Sequence, residues 1–232
     1  MNVTNLLKKE IKLETSMSVY IWLICLIAFY YIPAYPVYIG CFYMVLGVMM
    51  TFSLNQLSHG MMYTVLLPVR KIDTVKARFL YCGLLEILFI PFAIIAAIVR
   101  TKCHFPPNKS GIEINAAYFG FQLIILAIFN FIFLGGVYKN PLKPGKRFLA
   151  AAISYFAVYA LCELPVWMYK GVEAQSETPD TLITRFGSIL CHNDFAGQIR
   201  QLPVLAIGLL IFVISWPVTF KRAAKQFEKY DM

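Results

Sequence analysis

Apolar residues recur along this chain in runs of about twenty, the length that crosses ~30 Å of hydrocarbon at ~1.5 Å per helical residue. Taken in order, the runs predict six spans, at about 17–34, 36–54, 79–99, 114–137, 148–169 and 202–220. Ahead of them, residues 1–16 predict an interfacial amphipathic helix. Val3, Leu6, Leu7 and Ile11 share one face, and Lys8, Lys9 and Lys12 lie off it. Ile32-Pro33-Ala34-Tyr35-Pro36 predicts a tight, uncharged reversal between the first two spans. A polar loop, 171–201, is expected before the last span, and residues 221–232 read as a charged tail. The expected fold class is an all-α membrane protein, with 17–220 as one six-helix transmembrane domain.

Composition strengthens this picture. Of the 232 residues, 59% are hydrophobic and 14% charged, against about 25% charged in an ordinary soluble domain. A soluble globule of this length would lack the polar residues to cover itself. The net charge of +9 does not point to nucleic acid, because Lys and Arg sit at the edges of apolar runs and form no basic stripe. Fifteen of the 21 Lys and Arg fall in four segments: three near the N-terminus, four in 55–78, four in 139–147 and four in the tail. The six others fall in the alternate loops. The positive-inside rule then puts both termini in the cytoplasm.

Candidate chemistry is sparse. Gly145-Lys146 is followed by Arg147, and Asn140 stands where a P-loop has its first glycine, so no phosphate cradle is expected. His59, His104 and His192 have no metal-ligand spacing, and no catalytic or metal site is expected. Cys25, Cys41, Cys82 and Cys162 lie in apolar runs as small buried hydrophobes. Cys103 and Cys191 fall in loops on one side, where a disulfide or two free thiols both fit. Glu86 and Glu163 lie inside spans, where a charge costs ~2.5–3.5 kcal/mol on insertion scales. Three readings fit them: a substrate path shared with Asn130, a proton relay, or a protonated or hydrogen-bonded carboxyl that fixes helix packing. Asn130, with Asn115 and Gln122, also fits as an interhelical hydrogen-bond partner. Pro91, Pro165 and Pro217 predict kinks. Tyr20, Trp22, Tyr30, Tyr31, Trp167, Tyr169 and Trp216 read as interface anchors.

Residues 55–78 form the most informative stretch. It opens Asn55-Gln56-Leu57-Ser58-His59, too polar to extend the second span, whereas 61–69 is too apolar for a bare solvated loop. A short amphipathic helix there shows Met61, Met62, Val65 and Leu66 to a partner or to the bilayer, and Pro68 ends it. Asp73 falls near the start of the third helix, where a carboxylate suits the helix dipole.

The run Leu67-Pro68-Val69-Arg70-Lys71-Ile72-Asp73-Thr74-Val75-Lys76-Ala77-Arg78 resembles the LP-x-x-R-x-x-I/D-x-V-x-A-K/R pattern of small bacterial ABC-type exporter permeases. Phe227-Glu228-Lys229-Tyr230-Asp231 resembles their usual ending, and the six-span layout with an interfacial N-terminal helix is similar to theirs. Within that family the layout is similar to exporters of amphipathic cytolytic peptides, the phenol-soluble-modulin exporters of Gram-positive bacteria. The resemblance implies a homodimeric permease in the cell membrane with two copies of a separate P-loop ATPase. ATP and Mg would sit on that partner, and this chain would bind no cofactor and be no enzyme. It also makes the stretch a cytoplasmic coupling helix. Carried over, the contacts are Asn55, Gln56, His59, Met62, Leu67, Pro68, Arg70, Lys71 and Asp73. Family permeases often carry acidic residues early in this region; Asn55, Gln56 and His59 stand there instead. The implied cargo is an amphipathic peptide or a hydrophobic compound leaving the cell. Two other readings fit the same residues: an ion-coupled secondary transporter titrating Glu86 or Glu163, and a non-transporting membrane scaffold or sensor.

Overall fold

A computed structural model describes residues 3–15, 17–58, 60, 63–64, 69–175 and 181–229. Of the described residues 82% are helical, and none of them is in a strand. The helices are α1 (Val3–Lys9), continued by a π turn (Glu10–Glu14), α2 (Met17–Phe29), α3 (Tyr38–Leu57), α4 (Lys71–Ile87) and α5 (Phe89–Lys102). They continue with α6 (Ala116–Ile132), α7 (Leu134–Val137), α8 (Pro144–Ala174), α9 (Leu182–Cys191) and α10 (Phe195–Glu228).

Among the described residues, five helical stretches are long and apolar enough to cross a bilayer: Tyr38–Leu57, Lys71–Lys102, Ala116–Val137, Pro144–Ala174 and Phe195–Glu228. Lys71–Lys102 joins α4 to α5 through a break at Leu88. Pro91 accounts for the break, because it has no N–H for the carbonyl of Ile87 and its ring crowds that carbonyl. A sixth span exists only if Val3–Leu13 and Met17–Phe29, bent by 81°, are taken together. The first expected span, 17–34, is therefore shorter as a helix. Pro33 offers no N–H to Phe29, whose carbonyl is met instead by Ile32 N–H at 3.4 Å, and α2 stops at Phe29.

Other boundaries move outward. The third helix begins at Lys71 rather than 79, and the sixth begins at Phe195 rather than 202. The expected loop 171–201 contains a helix, α9, opened by a capping box in which Thr181 and Thr184 exchange side-chain and backbone hydrogen bonds.

At the centre stands α6, packed along its length by α10 and flanked by α8. Its apolar window is 72% buried, whereas that of α10 is 11% buried. The close crossing of α6 and α10 needs glycine on both sides. A Cβ on Gly120 would stand 2.5 Å from the carbonyl oxygen of Val204, and one on Gly208 2.2 Å from that of Gly120. The first N–H groups of a helix lack intrahelical acceptors, and α10 supplies two for α6. Ala116 N–H donates to Gln198 Oε1 at 2.9 Å, and Ala117 N–H to Gln201 Oε1 at 3.2 Å. Asn115 Oδ1 accepts from Tyr118 N–H at 3.0 Å. Gln201 Nε2 then donates to the carbonyls of Ile189 and His192, each at 2.9 Å, and so holds the end of α9.

Tyr30 is not an interface anchor. It is fully buried, with its hydroxyl 2.9 Å from that of Tyr118 and 3.3 Å from Cys41 Sγ.

Candidate functional site

The end of the bundle that carries both termini is built around Arg78, two helical turns into α4. Its guanidinium is buried at 3% exposure and donates through Nη1 to Glu10, also 3% exposed, and through Nη2 to Thr51 Oγ1 at 3.1 Å. The cation lies 4.4 Å from the ring centre of Phe52 and 5.8 Å from that of Tyr81. Desolvating a charge is expensive unless it is paired and hydrogen-bonded, and these groups supply that. Glu10 reaches Arg78 because it follows Leu6 by four residues, on the face of the N-terminal segment turned to α4. Leu6 is buried, whereas Ile11 and Leu13 face outward. The residues turned inward are thus Leu6 and Glu10, with Leu7 packed partly against the core.

The same N-terminal helix touches the segment between α3 and α4. Lys9 Nζ lies 3.8 Å from Glu10 Oε1 and donates to Thr64 Oγ1 at 2.5 Å. Thr64 in turn bonds the carbonyl of Gly60 at 2.6 Å. Gly60, Tyr63 and Thr64 are helical, and Leu57 and Tyr63 are exposed. His59, Met62, Leu67 and Pro68 lie outside the described residues. Asn55 is buried and Gln56 exposed.

Where the segment enters α4, Arg70 is the N-cap residue, in an extended conformation, and its Nε donates to Asp73 Oδ2 at 3.0 Å. Asp73 sits in the first helical turn, where the dipole favours it. The Arg70 side chain is 82% exposed, so this pair adds little stability and leaves the guanidinium at the surface. Lys71 Nζ stands 6.0 Å over the ring of Phe227, near the end of α10. Phe227 also meets Tyr138, which meets Phe52. One polar and aromatic layer therefore joins α1, α3, α4, α7 and α10.

The structure separates the three intramembrane candidates. Glu86 and Asn130 come together: Asn130 Nδ2 donates to Glu86 Oε2 at 2.6 Å, with both residues buried. Glu163 lies apart, toward the far end of α8, where both its oxygens accept from Ile112 N–H at 3.1 and 3.2 Å. Trp167, one turn on, donates to the carbonyl of Ser110 at 2.9 Å, and Lys170 to those of Asn108 and Gly111 at 2.6 and 2.7 Å. The α8 face 163, 167 and 170 thus clamps the 108–112 loop. From α5, Arg100 donates to the carbonyls of Tyr30 and Pro106, each at 3.0 Å, and to Glu113 at 3.3 Å.

Beside this clamp lies a cleft of about 600 Å³ lined by Asn108, Glu113, Lys170, Glu173, His192 and Asn193. Cys103 is exposed, Cys191 half-buried, and both are free thiols. Burial pushes the Cys191 thiol up to about 11, which keeps it protonated. Gly111 is the loop's tight point, because a Cβ there would stand 2.6 Å from Glu163 Oε1. Gly111→Ala is expected to displace Glu163 from Ile112 and to destabilise by about 1–3 kcal/mol, read as a lower melting point in detergent. Unchanged melting would show that the carboxyl has room to move.

Sequence reasoning singled out Arg78 only as part of a motif, and missed Glu10, Gln198 and Gln201. The signal for Glu10 was a carboxylate four residues after an inward leucine. For the two glutamines it was their place just before an apolar run. A family profile described as ABC-2 family transporter protein matches residues 5–224. No match was found among curated proteins or among solved structures.

Proposed function

The chain belongs to the ABC-2 family of transporter proteins, and from that premise we propose that it works as the permease subunit of an ATP-driven exporter. It is a multi-pass membrane protein and an ABC-type permease. In the proposed assembly two copies form the membrane pathway, and two copies of a separate P-loop ATPase bind ATP and Mg. The excess of Lys and Arg at the end carrying both termini supports placing that end in the cytoplasm. The 55–73 segment then faces the ATPase.

The observation that carries this reading is the way the segment is mounted. It is tied to α1 through Lys9 and Thr64, and it leads into α4 at Arg70, two turns before the buried Arg78–Glu10 pair. Leu57, Tyr63 and Arg70 remain turned outward. Closure of the ATPase dimer would push on that outward face, and the buried pair would move α1 and α4 together. The proposed cargo is an amphipathic peptide or hydrophobic compound, entering from the bilayer or the cytoplasm and leaving across the bacterial cell membrane.

Gentle detergent purification of the tagged protein, with mass spectrometry of what accompanies it, tests the assembly. A stoichiometric P-loop subunit is expected. A homodimer stable without any ATPase would favour the ion-coupled carrier instead. Transport that survives a collapsed proton gradient but stops without ATP would exclude that carrier. An ATPase that no substrate stimulates would favour the scaffold or sensor reading. Within the exporter reading, charge reversal at Arg70 and Lys71 is expected to abolish ATPase association while leaving membrane insertion intact. Normal association in the double variant would remove this segment from the docking surface.

A further inference from the structure

We infer that Glu86 is a proton-binding site, its carboxyl held neutral in a paired acid–amide contact with Asn130. The argument starts from two unmatched oxygens. Asn130 Nδ2 donates to Glu86 Oε2 at 2.6 Å, which leaves Glu86 Oε1 and Asn130 Oδ1 buried without a hydrogen-bond partner. Both atoms are acceptors when Glu86 is ionised, so neither can satisfy the other. Glu86 is 0% and Asn130 1% exposed, and an ionised carboxylate in that setting is so unfavourable that it neutralises.

One added proton resolves both vacancies. It converts Oε1 into a hydroxyl donor, and Asn130 Oδ1 belongs to the side chain already paired with Oε2. The acid O–H then donates to the amide oxygen while the amide N–H donates to the acid carbonyl. The proton comes from hydronium in the surrounding water, whose O–H bond breaks as the Glu86 O–H bond forms, leaving a water molecule.

Among the described residues no ion pair reaches Glu86, and the cations nearby are engaged elsewhere. On α4, Cys82 lies one turn before Glu86, and Arg78, two turns before it, is engaged by Glu10 and Thr51. From α6 the facing group is Asn130. From α10, Trp216 sits against Gly83, and Thr219 and Arg222 sit against Gly135, with the Arg222 guanidinium turned over the ring of Phe131 at 4.6 Å from its centre. The pair joins α4, the helix that emerges from the 55–73 segment, to the central helix α6. It is distinct from Glu163, whose oxygens are occupied by Ile112 N–H.

The test is infrared difference spectroscopy of the full-length protein in lipid nanodiscs at neutral pH, wild type against Glu86→Gln. The expected result is loss of one protonated-carboxyl carbonyl band in the variant, with melting temperature unchanged because glutamine is close in shape to the neutral acid. Asn130→Ala gives an independent reading that does not need the first variant to fold: the same band should persist but move as its hydrogen bond is lost. No band attributable to Glu86 at neutral pH would overturn the inference. So would a carboxylate signature accompanied by stabilisation on adding sodium, which would assign the two free oxygens to a metal cation.

Discussion

Gly208→Ala is expected to separate α6 from α10 and to leave little folded protein in the membrane. A Cβ at 208 would stand 2.2 Å from the carbonyl oxygen of Gly120 and 2.7 Å from its carbonyl carbon. Overpacking costs about 1–3 kcal/mol where a neighbouring side chain can move aside. Here the obstacle is the backbone of α6, so the effect should reach or pass the top of that range. This contact is also the most extensive in the fold, and helices in a bilayer associate through close backbone approach at small residues rather than through a hydrophobic force. Ile207→Ala is the control, since Ile207 is exposed. Size-exclusion yield and melting temperature in detergent read the difference. A Gly208→Ala protein that melts with wild type would mean that the two helices cross less closely.

The second large effect is expected at Arg78. Removing it leaves the Glu10 carboxylate buried without its cation, and breaking a buried pair by deleting one partner costs about 3–5 kcal/mol. Arg78→Ala should therefore release the N-terminal helix from α4, seen as faster proteolysis within residues 3–15 and a lower melting temperature. Replacing both members, as in Glu10→Gln with Arg78→Met, should recover most of the loss, because the desolvation penalty disappears with the charges. The double-mutant cycle isolates the coupling from the two single effects. Simple additivity, with the double variant as unstable as the sum of the singles, would show that the pair does not hold the helix. In the proposed exporter, Arg78→Ala should also weaken the dependence of ATP hydrolysis on substrate even where the protein remains inserted.

Both predictions rest on residues that a linear reading passes over, the two glycines and Glu10. The glycines lie in apolar runs, where a span assignment treats them as filler. Only the helix crossing shows that their missing side chains matter. Glu10 lies in a segment that reads as an interfacial amphipathic helix, and its burial depends on Arg78, 68 positions away. Likewise Tyr30 has the aromatic character of an interface anchor, yet its partner Tyr118 draws it inside. The carboxylates Glu86 and Glu163 are alike in sequence, each a single acid within an apolar run. The structure gives one an amide side chain and the other a backbone N–H.

What the sequence determined by itself was the solvent and the layout. Long apolar runs with Lys and Arg confined to their edges fit only a bilayer, and helices are the simplest way to satisfy backbone groups there. Proline positions marked the break before α5 and the end of α2 because proline removes a local hydrogen bond that can be counted along the chain. The entry of the 55–73 segment into α4 was legible for a similar reason: its charges and helix-start residues act over a few positions. Tertiary structure decided which helix stands at the centre, which glycines bring backbones together, and which polar groups become partners. Those outcomes depend on contacts between residues tens of positions apart, and in a chain this uniformly apolar the pattern of hydrophobicity does not distinguish a face turned to lipid from one turned to another helix.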